Sequence, residues 1–296
     1  MAAREYRRAP GALIRDMPRI LPLAVAGIGL AAGAFAQAGS PQLGTEVVWH
    51  DNVTNAERPE DVLGAMEWRT EFAFGRRWLL PAGHRLLGSA RVRTELWPRF
   101  EGLNLLVPGL VGTWEFKPGL GPHRPVFAVE AEVERALAQE RGRGGLGGAG
   151  RLSVRQRLGT SWLLAAGHEW RRFDARAKAF DRTGREWFGR AEWSLGESWS
   201  LALEARRRVG DVVSYSRPPR PDLVAIGKPI TFVDTFEQDV PWIAYYFAAE
   251  TRSGALEATR TLGRATLTLR HEYRHTLHAG PGYKNQLTSL RLAIPF

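Results

Sequence analysis

From residue 44 onward, apolar and polar positions alternate with a period of two rather than 3.6, the signature of strands with two different faces. Over residues 64–78, Met66, Trp68, Phe72, Phe74 and Trp78 share one face, while Glu67, Arg69 and Glu71 occupy the other. Residues 126–138 set Phe127, Val129, Ala131, Val133 and Leu137 against Glu130, Glu132 and Glu134. The same contrast recurs at 186–195 and again at 264–275, where Leu267, Leu269 and Tyr273 oppose Arg270, Glu272 and Arg274. In a soluble sandwich the apolar faces meet in one core. Here the other face is charged on strand after strand, which predicts an apolar exterior in lipid around a polar lumen.

Turn lengths support that reading, because membrane barrels alternate short periplasmic turns with longer outer loops. Short connections fall at Pro81-Ala82-Gly83, 119–124, Gly159-Thr160, Gly196-Glu197 and Gly263-Arg264, and longer ones at 52–62, 99–104, 139–149, 174–184, 209–240 and 277–283. The strands between them are expected at 45–51, 63–78, 84–98, 105–117, 125–138, 150–158, 161–173, 185–195, 198–208, 241–261, 264–276 and 284–296. This is an antiparallel up-and-down transmembrane β-barrel of about twelve strands, an even count that returns the chain to its starting side. Ten or fourteen strands stay open, since 209–240 has room for a strand pair. Trp162 and Trp170 lie on one face of one strand. At a rise of roughly 3.3 Å and a tilt of about 40° they stand about 20 Å apart along the axis, close to the height of an apolar band. Trp78, Trp193 and Trp199 flank short turns, and Trp49, Trp97, Trp187 and Trp242 approach the long-loop side. Two aromatic girdles are therefore expected.

Ahead of the strands, residues 20–35 form an apolar run of signal-peptide length after Arg15 and Arg19. Ala36-Gln37-Ala38 then supplies a small-x-small cleavage site, so residues 1–38 are expected to be a cleaved export signal and 39–296 the barrel. Met17 is an alternative start that would leave a compact signal. The formal charge of +10 would ordinarily raise nucleic acid as a partner. Export makes that implausible, and a basic set that is almost all arginine fits GC-rich coding better than anion binding. The chain has no cysteine, which excludes disulfides, thiolate metal sites and lipoprotein attachment. Its seven histidines show no metal spacing, and no cofactor is implied.

The last strand places Leu290, Leu292, Ile294 and Phe296 on one face, ending on a terminal phenylalanine. This resembles the C-terminal signature of Gram-negative outer-membrane barrels, with Ile294 where an aromatic residue is frequent. The resemblance implies a porin-like fold, an outer-membrane location among lipid and lipopolysaccharide, and recognition of the Phe296 strand by the barrel-assembly machinery. Val48–Ala56 (VWHDNVTNA) also resembles the first strand and loop of some such barrels.

With the charged faces inward, the lumen is expected to gather Arg69, Arg91, Arg93, Arg151, Arg155, Arg157, Arg171, Arg190, Arg206, Arg270, Arg274 and Arg291. The opposing carboxylates are Glu67, Glu71, Glu95, Glu130, Glu132, Glu134, Glu169, Glu192, Glu204, Glu250 and Glu272. Guanidinium groups pair carboxylates bidentately, so such a wall suits charged solutes; mutual neutralisation would instead narrow the lumen. The acids at 130, 132 and 134 precede a strand carrying Arg151, Arg155 and Arg157, which suggests a zipper between neighbouring strands. The leading functional expectation is a narrow channel for small polar or charged solutes. The alternatives are a structural or assembly barrel and a lipid-modifying enzyme, the last using His271 or His275 near the outer interface. Nucleophilic catalysis needs a serine within reach of such a base, and Ser289 is expected to face inward. Loop 209–240 carries apolar segments that would otherwise face water, which favours its folding into the lumen.

Overall fold

The computed structural model describes residues 40–218, 220–227, 230–236, 241–279 and 282–296, and within them the alternating segments become strands. The expected signal peptide lies outside them. The strands are β1 (Ser40–His50), β2 (Ala65–Leu79), β3 (His84–Leu96), β4 (Leu105–Phe116), β5 (Val126–Ala138), β6 (Gly145–Leu158) and β7 (Trp162–Ala175). They continue as β8 (Arg182–Leu195), β9 (Trp199–Ser216), β10 (Ile230–Val233), β11 (Trp242–Leu262), β12 (Ala265–Leu277) and β13 (Tyr283–Pro295), with one short helix, α1 (Pro221–Ile226). Neighbours pair antiparallel, β9 pairs with β11, and β13 returns to β1 in a register running from Gln42↔Pro295 to His50↔Leu287. The result is the expected closed barrel of twelve strands, to which β10 adds a short edge on Trp242–Tyr245 of β11. No described helix is long and apolar enough to cross a membrane, so the crossing elements are strands.

The period-two pattern maps onto the two faces of the wall. Trp49, Trp68, Trp162, Trp170, Trp187, Trp193 and Trp199 are exposed on the outside, as are Leu110, Val133 and Leu256. Near the short turns, Trp162 stacks on Trp193 at 5.8 Å. Trp97 and Trp242 depart from the expected girdle: both are buried, at 8% and 0% exposure, beneath the outer loops. Each sits at a strand end, where a loop folding inward offers an apolar partner better than the interface. Glu250 departs as well. It pairs in register with Val209 and Leu277, which are exposed on the outer face, and it binds Arg207 and Arg252 there. The inward carboxylate of β11 is Glu257, seven residues on and therefore of opposite parity.

Two strands are longer than their patterns suggest. The tract Gly145–Gly150 joins β6 although its run of small residues offers no alternation to read. β9 continues to Ser216, eight residues past its expected end, and so removes the first part of the 209–240 loop. Its pairing with β8 stops at Gly184↔Gly210, and that of β11 with β12 stops at Glu250↔Leu277. Above these levels β9 and β11 continue as a hairpin, extended at one edge by β10, with both faces covered. Val212, Tyr245 and Phe247 lie under Leu223 and Ile226 of α1. Val213, Tyr215, Trp242 and Ala244 pack into a cluster with the other loops. With both faces covered, the polar residues that remain, Asp211, Ser214 and Ser216, are buried and mark no wet face, and alternation fails there for that reason.

Short turns are closed where glycine is needed. The two-residue link between Leu262 and Ala265 puts Gly263 at φ 62°, as hairpin turns of this length require. Gly210 answers to crowding instead: a Cβ there would overlap the Thr183 carbonyl oxygen and the Gly184 backbone. Gly210→Val is expected to force β8 and β9 apart at the base of the hairpin, costing about 1–3 kcal/mol. The heat-modifiable electrophoretic shift of the detergent-solubilised barrel should then occur at lower temperature; an unchanged midpoint would refute the contact.

Candidate functional site

The outer loops do not splay into solvent. They interlock over the mouth of the barrel, beginning with the segment between β1 and β2. There Asn52 Nδ2 donates to the Ala56 carbonyl at 2.7 Å, and Thr54 Oγ1 donates to the Asp61 carbonyl at 2.7 Å. Asn55, at φ 52°, donates from Nδ2 to the Val213 carbonyl at 2.9 Å, and Ser214 Oγ donates to the Asn55 carbonyl at 2.8 Å. Asn285 Nδ2 of β13 donates to the Asn52 carbonyl at 2.7 Å. Asparagine suits this role because one short side chain satisfies backbone donors and acceptors in a turn. The hairpin is tied down further by Arg217–Asp61 at 3.0 Å and Arg220–Glu57 at 3.2 Å. Arg220 also pairs with Asp222 at 2.7 Å, and its guanidinium holds that carboxyl down at about 2. The Asp222 pair therefore survives acidification until pH falls through that value.

Apolar contacts complete the cap. Phe236, from the segment between β10 and β11, lies 5.2 Å from Phe100, 5.0 Å from Tyr215 and 5.1 Å from Trp242, ring to ring. Phe100, Phe180 and Leu103 come from the β3–β4 and β7–β8 loops, so three connections meet at one cluster. Thr235 donates to Glu140 of the β5–β6 loop, whose carboxyl is raised chiefly by burial. The described residues of the 209–240 tract thus form a lid across the mouth. Fully burying one aromatic side chain of this kind is worth roughly 1.5–3 kcal/mol.

Beneath the lid lies a cavity of about 500 Å3. Its charged lining comprises six arginines, Arg143, Arg182, Arg206, Arg208, Arg270 and Arg274, against three carboxylates, Glu186, Asp211 and Glu272. Arg206 pairs with Glu186 at 2.7 Å and Arg274 with Glu272 at 2.7 Å. Among the described residues no carboxylate pairs with Arg143, Arg182 or Arg208. Arg182 lies 5.1 Å over the Phe173 ring and Arg143 5.8 Å over the Phe180 ring. Arg208 reaches only the Asp211 carbonyl, at 3.4 Å. Asp211 itself accepts from Thr183 N and Thr183 Oγ1 at 2.7 and 2.6 Å. These three arginines escape a reading of the sequence because Arg143 and Arg182 fall in expected loops and Arg208 at an expected strand end. The available signal was parity, which extends inward from Glu186 to Arg182 and from Arg206 to Arg208.

Deeper in the lumen most of the other arginines are paired, while Arg291, in register with Glu46, has no carboxylate ion pair among the described residues. Arg69 meets Glu67 at 2.5 Å and Glu46 at 3.7 Å. Arg93 meets Glu95 at 2.9 Å. Arg171 and Arg151 share Glu169 at 3.0 and 2.5 Å. The expected zipper between β5 and β6 is not the main pattern, since Arg151 reaches Glu130 only at 3.7 Å. Several ion pairs skip a strand instead, beside others within one strand or between neighbours. Arg91 of β3 pairs with Glu132 of β5, and also approaches Glu134 at 3.5 Å. Arg155 of β6 reaches Glu115 of β4 at 2.7 Å, Arg190 of β8 reaches Glu257 of β11 at 2.8 Å, and Arg270 of β12 reaches Glu204 of β9 at 2.7 Å. Strands two apart are about 9–10 Å from each other, a gap that an arginine and a glutamate span together. The intervening inward residue must then be small. Gly109 lies between Arg91 and Glu134, Ala128 beside Glu115, Ala202 beside Glu257 and Ala255 beside Glu204. Arg157 stands apart at the short-turn rim, where Nη1 donates to the Thr160 carbonyl at 3.4 Å.

The histidines considered for chemistry face lipid. His271 is exposed and its Nδ1 lies 3.0 Å from Thr288 Oγ1, while Ser289 is buried on the inner face. Among the described residues no three His, Asp or Glu side chains are placed to hold a metal ion. Filling the notch at Gly109 tests the strand-skipping pairs. A Cβ there would stand 3.2 Å from the Val133 carbonyl and 3.6 Å from Arg91 Nε. Gly109→Leu is expected to displace Arg91 from Glu132 and destabilise the barrel by about 1–3 kcal/mol, read as a lower thermal midpoint in detergent. Gly112→Leu, where an added Cβ meets nothing within 4 Å, should leave that midpoint unchanged.

No protein-family model matches the sequence, and no curated protein is significantly similar to it. Solved structures are similar in fold. The COG4313 outer membrane channel from Pseudomonas putida F1 superposes with a TM-score of 0.56 at 10% identity, over 88% of this chain and 96% of that one. Lower likenesses are to the KdgM porin (TM-score 0.41, 6% identity, 86% and 99% covered) and the Pseudomonas putida toluene transporter TodX (TM-score 0.43, 10% identity, 88% and 89% covered). The chain has the fold of an outer-membrane β-barrel.

Proposed function

We propose that this protein is a narrow, lidded channel of the outer membrane that passes small polar solutes and prefers anions. The observation that carries the reading is the roofed cavity of about 500 Å3, with three arginines that have no carboxylate partner among the described residues. An unpaired guanidinium in a confined, partly dry space attracts a carboxylate or phosphate, whereas the paired arginines below present little net field. The lid limits size, because Phe236 and its partners close the route that twelve strands would otherwise leave wide. Delivery to this membrane is by the export signal at residues 1–38 and by recognition of the strand ending at Phe296. Passage rather than chemistry is supported by the lipid-facing position of His271 and by an inner wall whose carboxylates mostly serve as arginine partners.

Reconstitution into planar bilayers and proteoliposomes tests the proposal. The wild-type protein should conduct weakly, with a reversal potential displaced toward anions, and small sugars should swell the liposomes slowly. Replacing residues 217–241 by a short turn is expected to raise conductance several-fold. Arg182→Gln with Arg208→Gln should reduce the anion preference, while Arg155→Ala with Arg157→Ala should leave it close to wild type. Absence of permeation in both the wild-type and the lid-deleted protein would overturn the channel reading in favour of a structural barrel.

A further inference from the structure

A groove on the outer surface of the wall remains outside this account. It runs across β6–β9 near the long-loop side and measures about 550 Å3. Its outward lining includes Gly148 and Gly150 of β6, Trp170 and Arg172 of β7, Arg185 of β8 and Val209 of β9. The floor exists because β6 presents hydrogen atoms where its neighbours present side chains: a Cβ on Gly150 would meet nothing within 4 Å. Trp170 stands in register with both Gly150 and Arg185, and His168, just below, is held between the Trp170 and Trp187 rings at 4.1 and 4.6 Å. Exposed tryptophans at this height mark the boundary between hydrocarbon and headgroups.

One row of basic side chains continues from the groove at the same level. Arg207, Arg252, His275 and Lys284 pair in direct cross-strand register over β9, β11, β12 and β13, all on the outward face. The side chains of Arg207 and Arg252 are 59% and 66% exposed, and a single carboxylate, Glu250, serves both at 2.8 and 2.7 Å. Arg185 is exposed on the same surface, diagonal to Arg207. An arginine facing lipid is costly at the bilayer midplane and close to free at the interface, so the row suits headgroup depth. There it leaves an excess of positive charge beside an apolar trough.

We infer that this groove and row form a binding site for the phosphorylated, multiply acylated glycolipid of the outer leaflet. Its phosphate lies between Arg185 and Arg207, where planar guanidinium groups form charge-assisted, bidentate hydrogen bonds. An acyl chain lies along the glycine floor against Trp170. The site rests on the outer-membrane location but not on solute passage, so failure of the channel reading leaves it standing.

The test is lipid retention by the full mature barrel, measured by native mass spectrometry after extraction in detergent and titration with purified lipid A. One lipid A per barrel is expected to remain bound. Arg185→Gln with Arg207→Gln should weaken retention at least tenfold, and Gly150→Trp should do the same by filling the trough without altering charge. Arg260→Gln, an outward arginine 5.3 Å over Trp199 on the short-turn side, should leave binding unchanged. The heat-modifiable shift reports that each variant is folded. Retention at wild-type strength in the Gly150 variant and the double arginine variant would overturn the site. Equal loss in the Arg260 variant would do so too, by showing that total charge alone governs binding. Phosphatidylglycerol held as tightly as lipid A would overturn the assignment to the glycolipid.

Discussion

In hydrocarbon no water is present to bond a backbone amide, and an unpaired one costs several kcal/mol. Closure of the ladder between β1 and β13 is therefore the constraint on which the rest depends. The register carries through to Gln42↔Pro295, and Phe296 N then donates to the Pro41 carbonyl at 2.9 Å. Pro295 lacks an N–H but sits at the last pair, where little is lost. With no edge left open, the parity of each strand assigns every side chain to lipid or lumen. Glu250 illustrates how strict the rule is, since seven positions separate it from Glu257 and put the two on opposite sides of the wall.

Inside, the barrel is wide enough that charges must find partners over distance. Arginine and glutamate meet across a skipped strand at places where glycine or alanine leaves the way clear, as at Gly109 and Ala202. Partly buried pairs of this kind add little net stability, yet loss of one member leaves an uncompensated charge that is expensive. The network therefore specifies the inner wall more than it strengthens it. Above it the balance breaks, and Arg143, Arg182 and Arg208 face the cavity without carboxylate partners among the described residues.

The lid reverses the usual relation between loops and barrel. Loop backbones are normally solvated and variable, whereas here the Asn52 and Thr54 side chains brace their own loop, Asn55 and the Thr54 carbonyl bond the backbone of the β9–β11 hairpin, and an aromatic cluster seals the centre. The hairpin rises because β9 and β11 continue to pair after β8 and β12 have ended, and α1 covers the face that would otherwise be wet. The aromatic cluster at the mouth and the unpaired arginines of the cavity thus come from different segments that meet only in three dimensions.

Much of this was legible in order along the chain. Period two, alternating turn lengths and the terminal Phe296 were enough to place twelve strands and to send Arg69, Arg190 and Glu132 inward, because a lipid-facing wall leaves one choice of parity. Strand ends were not legible where both faces are covered, as in Asp211–Ser216, or where glycines carry no pattern, as in Gly145–Gly150. Nor could the sequence say which charges pair, because Arg91 and Glu132 are brought together by the spacing of three strands and the absence of a side chain at Gly109. By itself the sequence determined the barrel and its two faces, since alternation is a local property of each strand. The tertiary structure alone decided the lid, the strand-skipping pairs and the unpaired arginines, because each depends on distances between segments remote in the chain.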